Sequence, residues 1–137
     1  MQLNIYRLLY ILAFCILSLR AEYIETYYAK LAKIDHLNSK DEKLYSVATI
    51  LYQDRYNVNI RGIRQKGDES DLYFEKKNNR DKLSKMLRNG VISESARRLI
   101  ISSYPYVKVD VFSDHINVKV LRKRTFRTGE VLSGSIN

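Results

Sequence analysis

The chain is short of the residues on which much protein chemistry depends. Its 137 residues include one cysteine, one proline, two histidines and no tryptophan. The cysteine is Cys15, inside an N-terminal apolar stretch. The remainder therefore has no thiol for an internal disulfide, a thiolate metal ligand or a cysteine nucleophile. Two histidines without a second cysteine do not supply a closed zinc site. No Gly-x-Ser-x-Gly elbow surrounds any serine, and no glycine-rich phosphate loop occurs. Small exported domains often rely on disulfides; this one must rely on packing. Eleven tyrosines and a single proline separate it from a disordered linker.

The apolar stretch itself, Leu8 to Leu19, is 12 residues long and lies between Arg7 and Arg20. It falls short of the roughly 17–25 residues a spanning helix needs. A basic start followed by a short apolar core fits an export signal. Residues 1–21 are accordingly expected to be a signal peptide or, if uncleaved, an N-terminal membrane anchor. The cut site is poorly formed, since Leu19 and Arg20 stand where small residues are preferred before Ala21. Both alternatives place the following residues outside the cytoplasm, in the periplasm or on the membrane's outer side.

Of the chain's net charge of +9, two charges belong to Arg7 and Arg20, which leaves +7 on residues 22–137. That excess favours an acidic protein partner or an anionic membrane surface.

Ile24, Tyr27, Tyr28, Leu31 and Ile34 recur at helical spacing, which predicts a helix over Glu22–Asn38. Ser39 to Glu42 has the form of a capping box, and a second helix is expected from there to about Asn57. Its inward stripe is Leu44, Val47, Ala48 and Leu51. Gly62 to Asp71 carries turn residues and reads as an exposed loop. A third helix is expected over Asn79–Asn89, stopped by Gly90, with Leu83, Met86 and Leu87 inward. Ser93 should cap a fourth helix to about Ser102 that buries Ala96, Leu99 and Ile100. Val107, Val109 and Val111, then Ile116, Val118 and Val120, alternate with polar residues around Ser113–His115. That is the pattern of a β-hairpin with one apolar face. A lone hairpin is marginal in water. It must pack on the helices, with Tyr56–Ile63 a candidate third strand. The expected fold is α+β: short N-terminal helices, then a C-terminal antiparallel hairpin or small sheet, in one domain over 22–121. Residues 122–137 form a basic tail.

Candidate chemistry is sparse. Asp68, Glu69 and Asp71 gather carboxylates in one loop, but the further oxygens of a calcium loop are missing. The pairs Asp35-His36 and Asp114-His115 hold an acid beside an imidazole. Sequence neighbours rarely face each other on regular elements, and both histidines read as exposed. Residues 79–102 resemble a helix-turn-helix in outline, with Arg97 and Arg98 on the second helix. The tail sets Arg122, Lys123, Arg124 and Arg127 around Phe126, a composition suited to acidic surfaces. Tyr23, Tyr27 and Tyr28 crowd one short segment, and tyrosine suits an interface.

These patterns lead to the expectation of an exported, non-enzymatic binding protein without metal or cofactor. An inhibitor or immunity-type protein and an accessory subunit of an envelope complex both fit. A carboxylate-dependent hydrolase and a basic nucleic-acid binder are the alternatives. Tyr23, Tyr27, Tyr28, Arg122, Lys123, Arg124 and Arg127 are the candidate contact residues.

Overall fold

The structure is a computed structural model that describes residues 20–122; the expected leader up to residue 19 and the tail from residue 123 lie outside the described residues. Valine alternation produces the expected hairpin. Strands β2 (Tyr106–Phe112) and β3 (Ile116–Leu121) pair antiparallel, with Val109 opposite Val118 and Val111 opposite Ile116. Those four side chains and Val107 are buried on one face.

The third strand is not the one expected. Tyr23–Lys30 forms β1, antiparallel to β2, and the sheet order is β1-β2-β3. The helix expected over Glu22–Asn38 is thus a strand followed by a short 3-10 turn, Lys33–His36. Its apolar spacing fits two periods at once. Tyr27, Ala29 and Leu31 alternate inward and are fully buried, whereas Ile24 is exposed. Tyr, Ile and Thr suit a pleated surface, and pairing with a partner far along the chain decides between the two readings.

The capping box expected at Ser39 is replaced by a turn built on Asn38, whose side-chain oxygen accepts from the Lys40 and Glu42 amides at 2.8 and 2.9 Å. Helix α1 (Val47–Asn59) begins later, where Ser46 accepts from the Thr49 amide at 3.2 Å. It runs through Tyr56, so Tyr56–Ile63 makes no strand. The expected single helix over Asn79–Asn89 is divided into α2 (Lys77–Arg80) and α3 (Leu83–Asn89). The first piece is tied backwards. Asn79 donates to the Tyr73 carbonyl at 2.8 Å, and Arg80 donates to the carbonyls of Phe74 and Glu75, both at 2.7 Å. Ser93 caps α4 (Glu94–Ser102) as expected, through the Ala96 amide at 3.1 Å. Ala96 and Ile100 face the core, but Leu99 is 46 % exposed. The helices cover the valine face of the sheet, which supports the α+β class.

At the centre of this packing is a charge. Arg55 on α1 is fully buried, as is Asp54 beside it. Its Nε donates to Asp54 Oδ2 at 2.8 Å, and its Nη1 donates to Asp71 Oδ1 at 3.1 Å and to the Glu69 carbonyl at 2.8 Å. Nη2 lies 2.7 Å from Asp54 Oδ2, close enough for charge attraction but without hydrogen-bond alignment. The Tyr27 ring of β1 covers the guanidinium, 4.1 Å from its carbon. Asp71 is fixed in turn by the Asn59 side chain at 2.8 Å and by the Phe74 amide at 2.5 Å. One side chain therefore joins α1, β1 and the loop after Arg61. Removing one partner of such a buried pair costs about 3–5 kcal/mol.

Gly90 is held against the sheet. A Cβ there would sit 1.7 Å from the Ile116 carbonyl oxygen. Gly62 has φ +67° and open space around it. Gly90→Ala should therefore lower stability by several kcal/mol, close to the whole stability of a domain this size, and Gly62→Ala by about 1 kcal/mol. Urea melts of both variants check this, and equal midpoints would contradict the contact.

The buried acid yields a second expectation. Burial pushes the Asp54 carboxyl up to about 7, against the pull of Arg55. In the unfolded chain it titrates near ~4. Between those values the native chain holds the extra proton, so stability falls as pH rises through the window and levels off above it. Roughly 2–3 kcal/mol should be lost from pH 5 to pH 8. Asp54→Asn should flatten most of that slope in urea melts. Asp35, also raised by burial, leaves a remainder of the same sign in the variant. Parallel slopes for parent and variant would rule out Asp54 as the cause.

Candidate interaction surface

The three candidate tyrosines do not form one patch. Strand alternation sends Tyr27 into the core and Tyr28 to the outer side, and a register shift between Tyr23 and Glu25 sets Tyr23 opposite Phe112 on that outer side as well. The outer face is closed by local pairs. Tyr23 packs edge-on to Phe112 with ring centres 5.7 Å apart, and its hydroxyl lies 3.0 Å from Thr26 Oγ1. Thr26 donates to Asp110 at 2.6 Å, and Lys108 reaches the same carboxylate at 3.0 Å. The hydrogen bond it donates to Asp110 holds the Lys108 ammonium above its usual pKa. Lys30 lies over the Tyr106 ring at 4.6 Å. Arg122 is exposed just past the end of β3; Lys123, Arg124 and Arg127 lie outside the described residues.

The acidic loop is more than a solvated segment. Asp71 is buried against Arg55. Asp68 accepts from the Lys30 amide at 2.7 Å and from Gln65 N at 2.5 Å. Glu69 accepts from the Tyr28 amide at 3.3 Å with its carboxylate, and its own amide donates to the Tyr28 carbonyl at 2.8 Å. Glu25 accepts from the amides of Leu72 and Tyr73 at 3.0 and 2.7 Å. The carboxylates act as backbone-like acceptors along the free edge of β1 and cover it.

Nor is His36 exposed. It is buried, and its Nδ1 and Nε2 lie 2.9 and 2.7 Å from the carbonyl oxygens of Ala32 and Ile100. Asp35 is buried too, and accepts from Asn57 Nδ2 and the Ala32 amide, both at 2.8 Å. The contacts with Asn57 and Ile100 tie the 3-10 turn to α1 and α4, and the two with Ala32 close the turn itself. Asp114 and His115, in contrast to the expectation for neighbours, do touch at 2.6 Å, because the hairpin turn lies between strands. The imidazole stacks on Phe112 at 4.4 Å. Among the described residues, no three His, Cys, Asp or Glu are grouped to hold a metal ion.

The opposite edge of the sheet differs. The Val118 amide donates to the Val91 carbonyl at 2.9 Å, so even-numbered residues of β3 aim their backbone groups away from β2. Gly90 and Val91 cover this edge beside Ile116 and Val118, and Asn117 accepts from the Val91 amide at 2.8 Å. At Ser93 the chain turns into α4 and leaves the edge, so among the described residues cover ends before Val120. What remains is a groove of about 600 Å³ between β3 and α4. Val118 and Val120 line one side and Ala96 and Leu99 the other, with Lys119 and Arg122 among the polar residues around them; Asp110 and Asn117 also line the groove, the Asp110 carboxylate being held by Thr26 and Lys108. Val91, 70 % exposed, sits at its entrance. Of the segment 79–102 that resembles a helix-turn-helix in outline, α4 and the turn before it line this groove, with Arg98 beside Glu94 at 3.6 Å on the exposed side of α4.

Sequence reasoning missed the groove. It takes β3's register and the departure of the chain at Ser93 to create it. Comparison with family models, with curated proteins and with solved structures finds no match to this chain.

Proposed function

We propose that the chain is a non-catalytic binding protein, exported by its apolar leader, that engages an acidic protein partner through the groove between β3 and α4. The observation that carries this reading is the groove itself: apolar sides, an exposed Leu99, and Lys119 and Arg122 among the polar residues around them. Exposed apolar surface ringed by polar groups is the usual mark of an interaction site. The chain's net charge of +9 points the same way. An inhibitor or immunity-type protein and an accessory envelope subunit both use such a surface.

Binding of the full-length protein to its partner from an envelope fraction tests the proposal. Leu99→Glu places a carboxylate in the groove at an exposed position, so folding should be unaffected. It should abolish capture. Replacing Arg122, Lys123, Arg124 and Arg127 together by glutamine should slow association and reduce its salt dependence, because steering acts mainly on the on-rate. Capture that survives Leu99→Glu would place the interface elsewhere.

A further inference from the structure

We infer that the groove takes its partner as an added β-strand: an extended segment with alternating apolar and acidic residues that pairs with the free edge of β3. The inference rests on the binding reading above and specifies its mode. Beyond Val118, the N–H and C=O groups of Val120 point into the groove by strand alternation. Strand addition satisfies such groups and places alternate side chains on opposite faces.

The two faces differ in chemistry. Side chains level with Val118 and Val120 would enter between the sheet and α4, against Ala96 and Leu99. Side chains level with Lys119 would lie on the outer face, opposite an ammonium, where an opposite charge is favoured.

A second copy of the chain is a poor occupant. Antiparallel pairing of β3 with itself about Lys119 would set two Lys119 side chains opposite each other, and lysine on an edge is a common guard against such pairing. An acidic segment turns the same charges into attraction.

The test is a titration of the ¹⁵N-labelled full-length chain with the capped hexapeptide acetyl-Val-Glu-Val-Glu-Val-Glu-amide. Two controls accompany it: the same peptide methylated on alternate backbone nitrogens, in both phases, and the version with lysine in place of glutamate. The parent peptide should shift the Val120 amide and slow its exchange with solvent. The methylated phase that blocks the N–H groups facing β3, and the lysine peptide, should bind at least about ten-fold more weakly, while the other phase keeps that edge and should bind like the parent. Parent-like affinity for both methylated phases, equal affinity for the lysine peptide, absence of binding, or shifts centred on Tyr28 and Lys30 would each overturn strand addition. So would a dimer that protects Val120 with no peptide present. If strand addition fails while Leu99→Glu still abolishes partner capture, the binding reading stands without it. If Leu99→Glu leaves capture intact, the binding reading itself falls.

Discussion

The buried guanidinium of Arg55 is the interaction on which the other features depend. A charge removed from water is tolerated only where counter-charges and acceptors surround it. Here they come from three parts of the chain: Asp54 on α1, Asp71 and the Glu69 carbonyl on the following loop, and the Tyr27 ring on β1. Satisfying one side chain therefore fixes where the loop crosses the sheet. Phe74 is carried with it into the core against Tyr27, rings edge-to-face at 6.2 Å. The ion cluster sets the geometry more than it adds stability. Burying these charges is costly, and their attraction chiefly offsets that cost.

From that crossing follows the asymmetry of the sheet. Three strands leave two edges, and exposed edges invite pairing with other chains. With Asp71 held by Arg55, Asp68 and Glu69 fall beside the outward amides of Lys30 and Tyr28. The β1 edge is covered by the chain itself. At β3 the cover among the described residues stops at Ile92, because Ser93 starts a helix that carries the chain away. The same sheet thus has one edge closed by acidic side chains and one open beyond Val118 beside lysine and arginine.

Parts of this were legible in the sequence. The hairpin could be read because period-two alternation of valine has no helical alternative, and α4 because Ser93 stands just before an amphipathic run. β1 could not, since Ile24, Tyr27, Tyr28 and Leu31 satisfy a helical spacing as well as Tyr27, Ala29 and Leu31 satisfy a strand; only the distant β2 resolves it. The buried roles of Asp71, His36 and Arg55 were hidden for a related reason. A polar residue is buried when partners from other elements meet it, and no local pattern records that meeting. The groove was invisible on the same grounds, because an edge exists only once strand order is known.

One edge of this sheet is closed from within and, among the described residues, the other is left open. Native-state hydrogen exchange on the full-length protein without any partner measures this asymmetry most directly. The account predicts strong protection of the Tyr28 and Lys30 amides and weak protection of Val120, a difference of at least about 100-fold. Comparable protection of Val120 would contradict it by showing that the edge is already covered, and rapid exchange at Tyr28 and Lys30 would show that the acidic loop does not close β1.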